Sequence, residues 1–135
     1  MGLIWKDEYS TGVQKVDEQH KVLFRNLNKF EEIIQAGKGA QVIEKMLGFL
    51  EQYAQKHFAF EEKYMEHYGC PVAKQNKEAH RRFFMMFEKL RKRFEEEGAD
   101  ELLLEQLHLT LETWLLNHIL GIDVQLKSSV EPKDD

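Results

Sequence analysis

Apolar residues recur at three- and four-residue spacing through four segments of the chain, the period of amphipathic helices. The first stripe runs Val16, His20, Leu23, Leu27, Phe30, Ile34, with Asp17 as the expected N-cap, and Gly37 to Gly39 ends it. A second runs Ile43, Met46, Leu50, Tyr53, His57, Glu61, Tyr64 and stops at Gly69, Cys70 and Pro71. A third runs Ala73, Asn76, His80, Phe83, Phe87, Leu90, Phe94 and ends near Gly98. The fourth runs Leu104, Leu107, Leu111, Trp114 with Leu115, then His118. Residues 1–15 read as an ordered arm and residues 127–135 as a polar, flexible tail. Connections are short, so successive helices are expected to run antiparallel. The expectation is an all-α, up-down-up-down four-helix bundle forming a single domain over residues 1–135, with an N-terminal arm.

Ionisable residues interrupt these apolar stripes at corresponding heights. His20 and His80 lie near the starts of the first and third helices, and His57 with Glu61 near the end of the second. His118 with Asp123 closes the fourth. In an antiparallel bundle those starts and ends share one end of the molecule. A buried charge costs several kcal/mol unless it is paired or bound to a metal, so six such groups at one level point to a metal site. Imidazole with carboxylate suits iron, manganese or zinc, and six ligands exceed what one zinc normally takes, which points to two ions.

Each member also has a plainer explanation. His57 and Glu61, four residues apart on one helix face, would make a buried ion pair, and a lone His20 or His80 would more often be a satisfied core histidine. Their convergence on one level is what favours a metal. His118 and Asp123 are five apart, roughly 140° around an ideal helix, so both reach inward only if the helix ends or deforms near Gly121. Phe58, Trp114, Leu115 and Ile119 flank these residues and read as core packing that also forms an apolar wall limiting water at the site. His67 and His108 fall off the inward stripes and read as surface residues, and Cys70 as a loop-edge thiol without a role.

Composition narrows the classes further. A chain of 135 residues with 42% apolar and 32% charged residues and a net charge of −5 disfavours a nucleic-acid surface. One cysteine precludes an internal disulfide and suits a reducing compartment. The first ten residues lack the basic and long apolar regions of a secretory signal, and Lys6 stands where a myristoylation motif after Gly2 wants Ser or Thr. No apolar stretch is long enough to span a membrane. A cytoplasmic protein is expected.

The segments WKDEYSTGV (5–13), DEQH (17–20), HFAFEEKYM (57–65), HRRF (80–83) and WLLNHILGID (114–123) resemble the hemerythrin family, particularly its bacterial single-domain members. The resemblance covers nearly the whole chain in order. It implies a non-haem di-iron cofactor, two oxo- or hydroxo-bridged iron ions that reversibly bind dioxygen for carriage, storage or sensing. His20 and His57 would hold the oxygen-binding iron, His80 and His118 the other, and Glu61 and Asp123 would bridge them. One position departs: where the family has a histidine four residues before the equivalent of His80, this chain has Asn76. An amide oxygen is a weaker iron ligand than imidazole, so the second iron would take Asn76, take a water, or keep an open position. His67 is badly placed to substitute. An open position implies the alternative, a di-iron enzyme or ligand-binding protein that reduces peroxide or dioxygen or binds nitric oxide. Metal storage is a third, weaker reading.

Overall fold

Four long helices account for most of the chain in a computed structural model, which describes residues 2–130: α1 (Gln14–Gln35), α2 (Gly39–His67), α3 (Ala73–Glu97) and α4 (Glu101–Gly121). A 3-10 turn (Asp123–Gln125) and a short α5 (Leu126–Val130) follow. The helices form an up-down-up-down antiparallel bundle in which α1 packs on α2 and α4, and α3 on α2 and α4. Each expected stripe supplies the buried side of its helix, with shifts of register in α2. There Leu47, Ala54 and Met65 are buried, whereas Met46, Tyr53 and Tyr64 sit at the edge.

The turns explain the helix lengths. After α1, Gly37 adopts φ 76° while its N–H donates to Ile34 O and the Lys38 N–H to Ile33 O. After α2, Gly69 at φ 61° repeats the pattern, with the Gly69 N–H on Glu66 O and the Cys70 N–H on Met65 O. Both are glycine-terminated caps that satisfy the last carbonyls and reverse the chain at once. Asp100 caps the start of α4, its carboxylate accepting from Leu103 N–H at 2.9 Å.

Two apolar clusters divide the interior. The larger contains Leu23, Leu27, Phe30, Leu50, Phe58, Phe87, Leu107 and Ile119 among its members. The smaller joins Val13, Val16, Met65, Cys70, Val72 and Leu126 at the far end of the bundle. Cys70, in the turn between α2 and α3, is therefore buried and has a packing role. Of the expected tail, Lys127 to Val130 belong to α5, and residues 131–135 lie outside the described residues.

Asp17 does not cap α1. Val13 occupies the N-cap without a side-chain bond, and Asp17 lies in the first turn of the helix. Its carboxylate reaches back to accept from Thr11 N–H and Thr11 Oγ1, both at 2.8 Å, and from Ser10 Oγ at 3.0 Å. The arm is thereby strapped to α1, aided by Tyr9 packed edge-on and Trp5 packed at a tilt against Phe24 and by the paired bonds of Asn28 with the Leu3 backbone. Asp17→Ala would strand the buried Thr11 donors, and the expected loss is about 1–3 kcal/mol in urea unfolding. An unchanged unfolding midpoint would show that the strap contributes nothing.

Candidate metal centre

On every helix the ionisable residues fall between the two apolar clusters. His20 follows Val16 by one turn, Glu61 precedes Met65 by one turn, and Asn76 and His80 lie between Val72 and Phe83. His118 is near the end of α4, which stops at Gly121. Ile122 then takes φ −123°, and the 3-10 turn swings Asp123 back inward. The helix end, and not a continuous helix, resolves the five-residue spacing. Gly121 has ordinary backbone angles and open space around it, so the absence of a side chain there is not what makes the break.

The structure brings all six expected residues together, each buried. Their carboxylate oxygens divide between two pairs of imidazoles. Glu61 Oε2 lies 3.5 Å from His20 Nε2 and 3.4 Å from His57 Nε2, while Oε1 lies 3.3 Å from His80 Nε2 and 3.8 Å from His118 Nε2. Asp123 repeats the division, with Oδ2 at 3.2 Å from His20 Nε2 and Oδ1 at 3.1 Å from His118 Nε2. Donors each ~2.1 Å from a shared ion and 90–110° apart would be separated by roughly 3.0–3.4 Å, close to these spacings. His20, His57, Glu61 and Asp123 form one group able to hold a cation, and Glu61, His80 and His118 a second.

Hydrogen bonding points the same way. Both oxygens of Glu61, both of Asp123 and both ring nitrogens of His20 are buried without an aligned hydrogen-bond partner, though the atoms crowd together. Buried polar atoms are seldom left so, and a cation among them would satisfy all of these save the outer nitrogen of His20. Two imidazoles are oriented from behind. His57 Nδ1 pairs with Gln19 Oε1 at 2.7 Å and His80 Nδ1 with Glu62 Oε2 at 3.0 Å, so each Nδ1 donates outward and leaves Nε2 facing the centre. Aromatic faces fix the ring planes: Phe58 stacks on His80 at 3.7 Å and 5°, and Trp114 on His118 at 4.5 Å and 11°. Sequence reading did not single out Gln19 and Glu62. Their only signal is adjacency to His20 and Glu61.

Of the expected wall residues, Phe58, Leu115 and Ile119 are buried and Trp114 is half-buried. Phe58, Trp114 and Leu115 also line a small cavity of about 30 Å³ with Leu23, Leu50 and Ala54, on the core side of the site. A space of that size with no polar lining suits a small neutral molecule better than water, which needs two to four partners.

A profile of the "Hemerythrin HHE cation binding domain" matches residues 11–128. The chain belongs to the hemerythrin family. Proteins named Bacteriohemerythrin are similar over most of its length. That of Pseudomonas aeruginosa is 35% identical over 121 residues, covering 90% of this chain and 76% of its own. That of Stenotrophomonas maltophilia is 31% identical with the same coverage, and that of Clostridium acetobutylicum 29% over 123 residues, covering 89% and 95%.

Against that hemerythrin frame, Asn76 is fully buried, and neither its amide oxygen nor its nitrogen has a hydrogen-bond partner. His67 is exposed, as expected. His108, expected at the surface, is instead buried and bonds the Leu27 carbonyl across the bundle. It shares a face with Leu104, Leu111 and Leu115, a spacing that was available in the sequence. No helix among the described residues is long and apolar enough to cross a membrane.

Without a cation, protons occupy the layer. Burial would lower the pKa of His20, but Asp123 and Glu61 outweigh it and raise it from 6.5 to about 9. His118 rises to about 9 for the same reasons. His57 goes the other way, to about 3, because burial and the neighbouring imidazoles His20, His80 and His118 overcome the attraction of Glu61. Between pH 6.5 and 9 the folded metal-free chain thus holds protons on His20 and His118 that the unfolded chain releases. The stability they contribute is complete below 6.5 and lost as pH rises through 9. Below 6.5 His57 acts oppositely, its contribution fading as pH falls toward 3. Filling both groups with cations at pH 7.5 is therefore expected to expel about two protons, one from His20 and one from His118. Calorimetry in buffers of different ionisation enthalpy is expected to read that release, and a binding heat independent of buffer would contradict it.

Proposed function

We propose that this hemerythrin-family chain holds two iron ions and binds dioxygen, as a carrier, store or sensor. The observation that supports the reading best is the division of Glu61 between two pairs of imidazoles and of Asp123 between one imidazole of each pair, beside a small apolar cavity. His20 and His57 would hold one ion and His80 and His118 the other, with Glu61 and Asp123 bridging. Two ferrous ions, when bound, would supply the two electrons that reversible dioxygen binding draws on. The protein's own part is to keep the site dry and its donors aimed. Phe58, Trp114, Leu115 and Ile119 exclude water, while Gln19 and Glu62 hold the outer protons of His57 and His80. The lone, buried Cys70 is consistent with a reducing, cytoplasmic setting.

The same reading assigns unequal roles to the ligands. His57 serves one ion, whereas Glu61 serves both. Glu61→Ala is therefore expected to lower iron content more than His57→Ala, and full, equal retention in the two variants would refute these roles. In the parent protein, metal analysis is expected to find two irons per chain. The optical spectrum of the reduced protein is expected to change on exposure to air and to revert on deoxygenation. A spectrum indifferent to oxygen would remove the reading.

A second reading rests on Asn76. Its buried amide has no partner within the protein, which suits a weak ligand or an attachment point for water on the His80 and His118 side. An exchangeable position there would admit peroxide or nitric oxide and favour turnover over carriage. Asn76→His places an imidazole one helical turn from His80 on the same face. The variant is expected to retain oxygen longer and consume less peroxide than the parent. If neither changes, the amide is functionally silent and simple oxygen binding is the better account.

A further inference from the structure

We propose that Glu31, His108 and Glu112 form a second cation site, separate from the candidate centre above, that takes one borderline divalent ion such as zinc. His108 is only 8% exposed and belongs to α4, where Glu112 follows it by one turn. Its Nε2 lies 3.6 Å from Glu112 Oε2 and 3.9 Å from Glu31 Oε2, the latter reaching across from α1. Both separations are too long for hydrogen bonds, yet the three donor atoms lie close enough together to share one ion.

The same nitrogen donates to the Leu27 carbonyl at 2.9 Å. Binding an ion through Nε2 requires the other tautomer, with that proton carried on Nδ1 instead, and the carbonyl then remains beside Nε2 as a further oxygen donor. One imidazole and two carboxylates are the donor types of an open zinc site, in which water completes the shell. Both glutamates are partly exposed, and a pocket of about 180 Å³ bounded by Glu31, Glu105 and His108 opens on the Glu31 side, which gives an ion access and gives water room.

The two sites are independent. Glu31 lies eleven residues beyond His20 on α1 and His108 ten residues before His118 on α4, which puts them roughly 15 Å apart along the bundle. An ion held by Glu31 and Glu112 would tie α1 to α4 at the end of the bundle remote from the candidate centre.

The test is a zinc titration of the purified protein, with its iron content measured before and after. One zinc per chain is expected to bind without loss of iron and to raise the melting temperature. Glu112→Gln, at a partly exposed position, should weaken zinc binding roughly tenfold or more and abolish the thermal shift, and His108→Gln should do the same. Zinc uptake unchanged in Glu112→Gln, uptake only in exchange for iron, or no uptake at all would each overturn the proposal.

Discussion

The structure depends on keeping a carboxylate, Glu61, in a place that water does not reach. Glu61 has no exposed surface and sits within 3.3–3.8 Å of four imidazoles drawn from all four long helices. A charge in such a place costs several kcal/mol unless opposing charge surrounds it, and a single helix supplies only His57. The remaining compensation has to come from the starts of α1 and α3 and the end of α4. Only an antiparallel arrangement brings those segments to the level of Glu61. Bundle topology and site chemistry are thus one constraint seen at two scales.

That constraint also explains why the apolar core is split. An ionisable layer open to the end of the bundle would be hydrated, and its attractions weakened accordingly. The smaller cluster of Val13, Val16, Met65, Cys70, Val72 and Leu126 closes that end. Beside Val16 of α1 and Met65 of α2, its members come from the arm, the turn after α2 and the helix after α4, so segments that look peripheral in the chain help form the lid of the site. Asp17 contributes indirectly by strapping the arm that carries Val13. The glycine cap at Gly69 contributes by folding Cys70 and Val72 inward within five residues of the end of α2.

Much of this was legible in the sequence because helical periodicity translates directly into which side faces inward. The four stripes, their breakers and the common level of His20, His57, Glu61, His80 and His118 follow from spacing alone. Asp123 was only half legible, since its position depends on a non-helical residue, Ile122, whose backbone angles leave no mark in composition. Gln19 and Glu62 were not legible. A hydrogen bond to Nδ1 depends on rotamers and helix rotation, and both residues sit just off the stripe. His108 was misread because a polar residue beside Leu107 was assigned to the outer face, when the row Leu104, His108, Leu111 places it inside. Asp17 was misassigned because a cap is recognised from residue type, whereas the chain enters α1 three residues earlier and uses that carboxylate on the arm.

The opposed shifts of the histidines explain how such a layer can fold before any ion arrives. Two carboxylates left bare in a dry interior would repel each other, and Asp123 is indeed pushed upward, by burial first and then by the Glu61 charge. His20 and His118 answer by holding protons, each placed against an oxygen of Asp123 and an oxygen of Glu61. Those protons stand between the carboxylates and the imidazoles where a cation would stand. His57, kept neutral, needs to lose nothing before it donates. The metal-free chain is therefore organised by protons in the positions that cations would take. Exchanging one for the other alters charge within the layer.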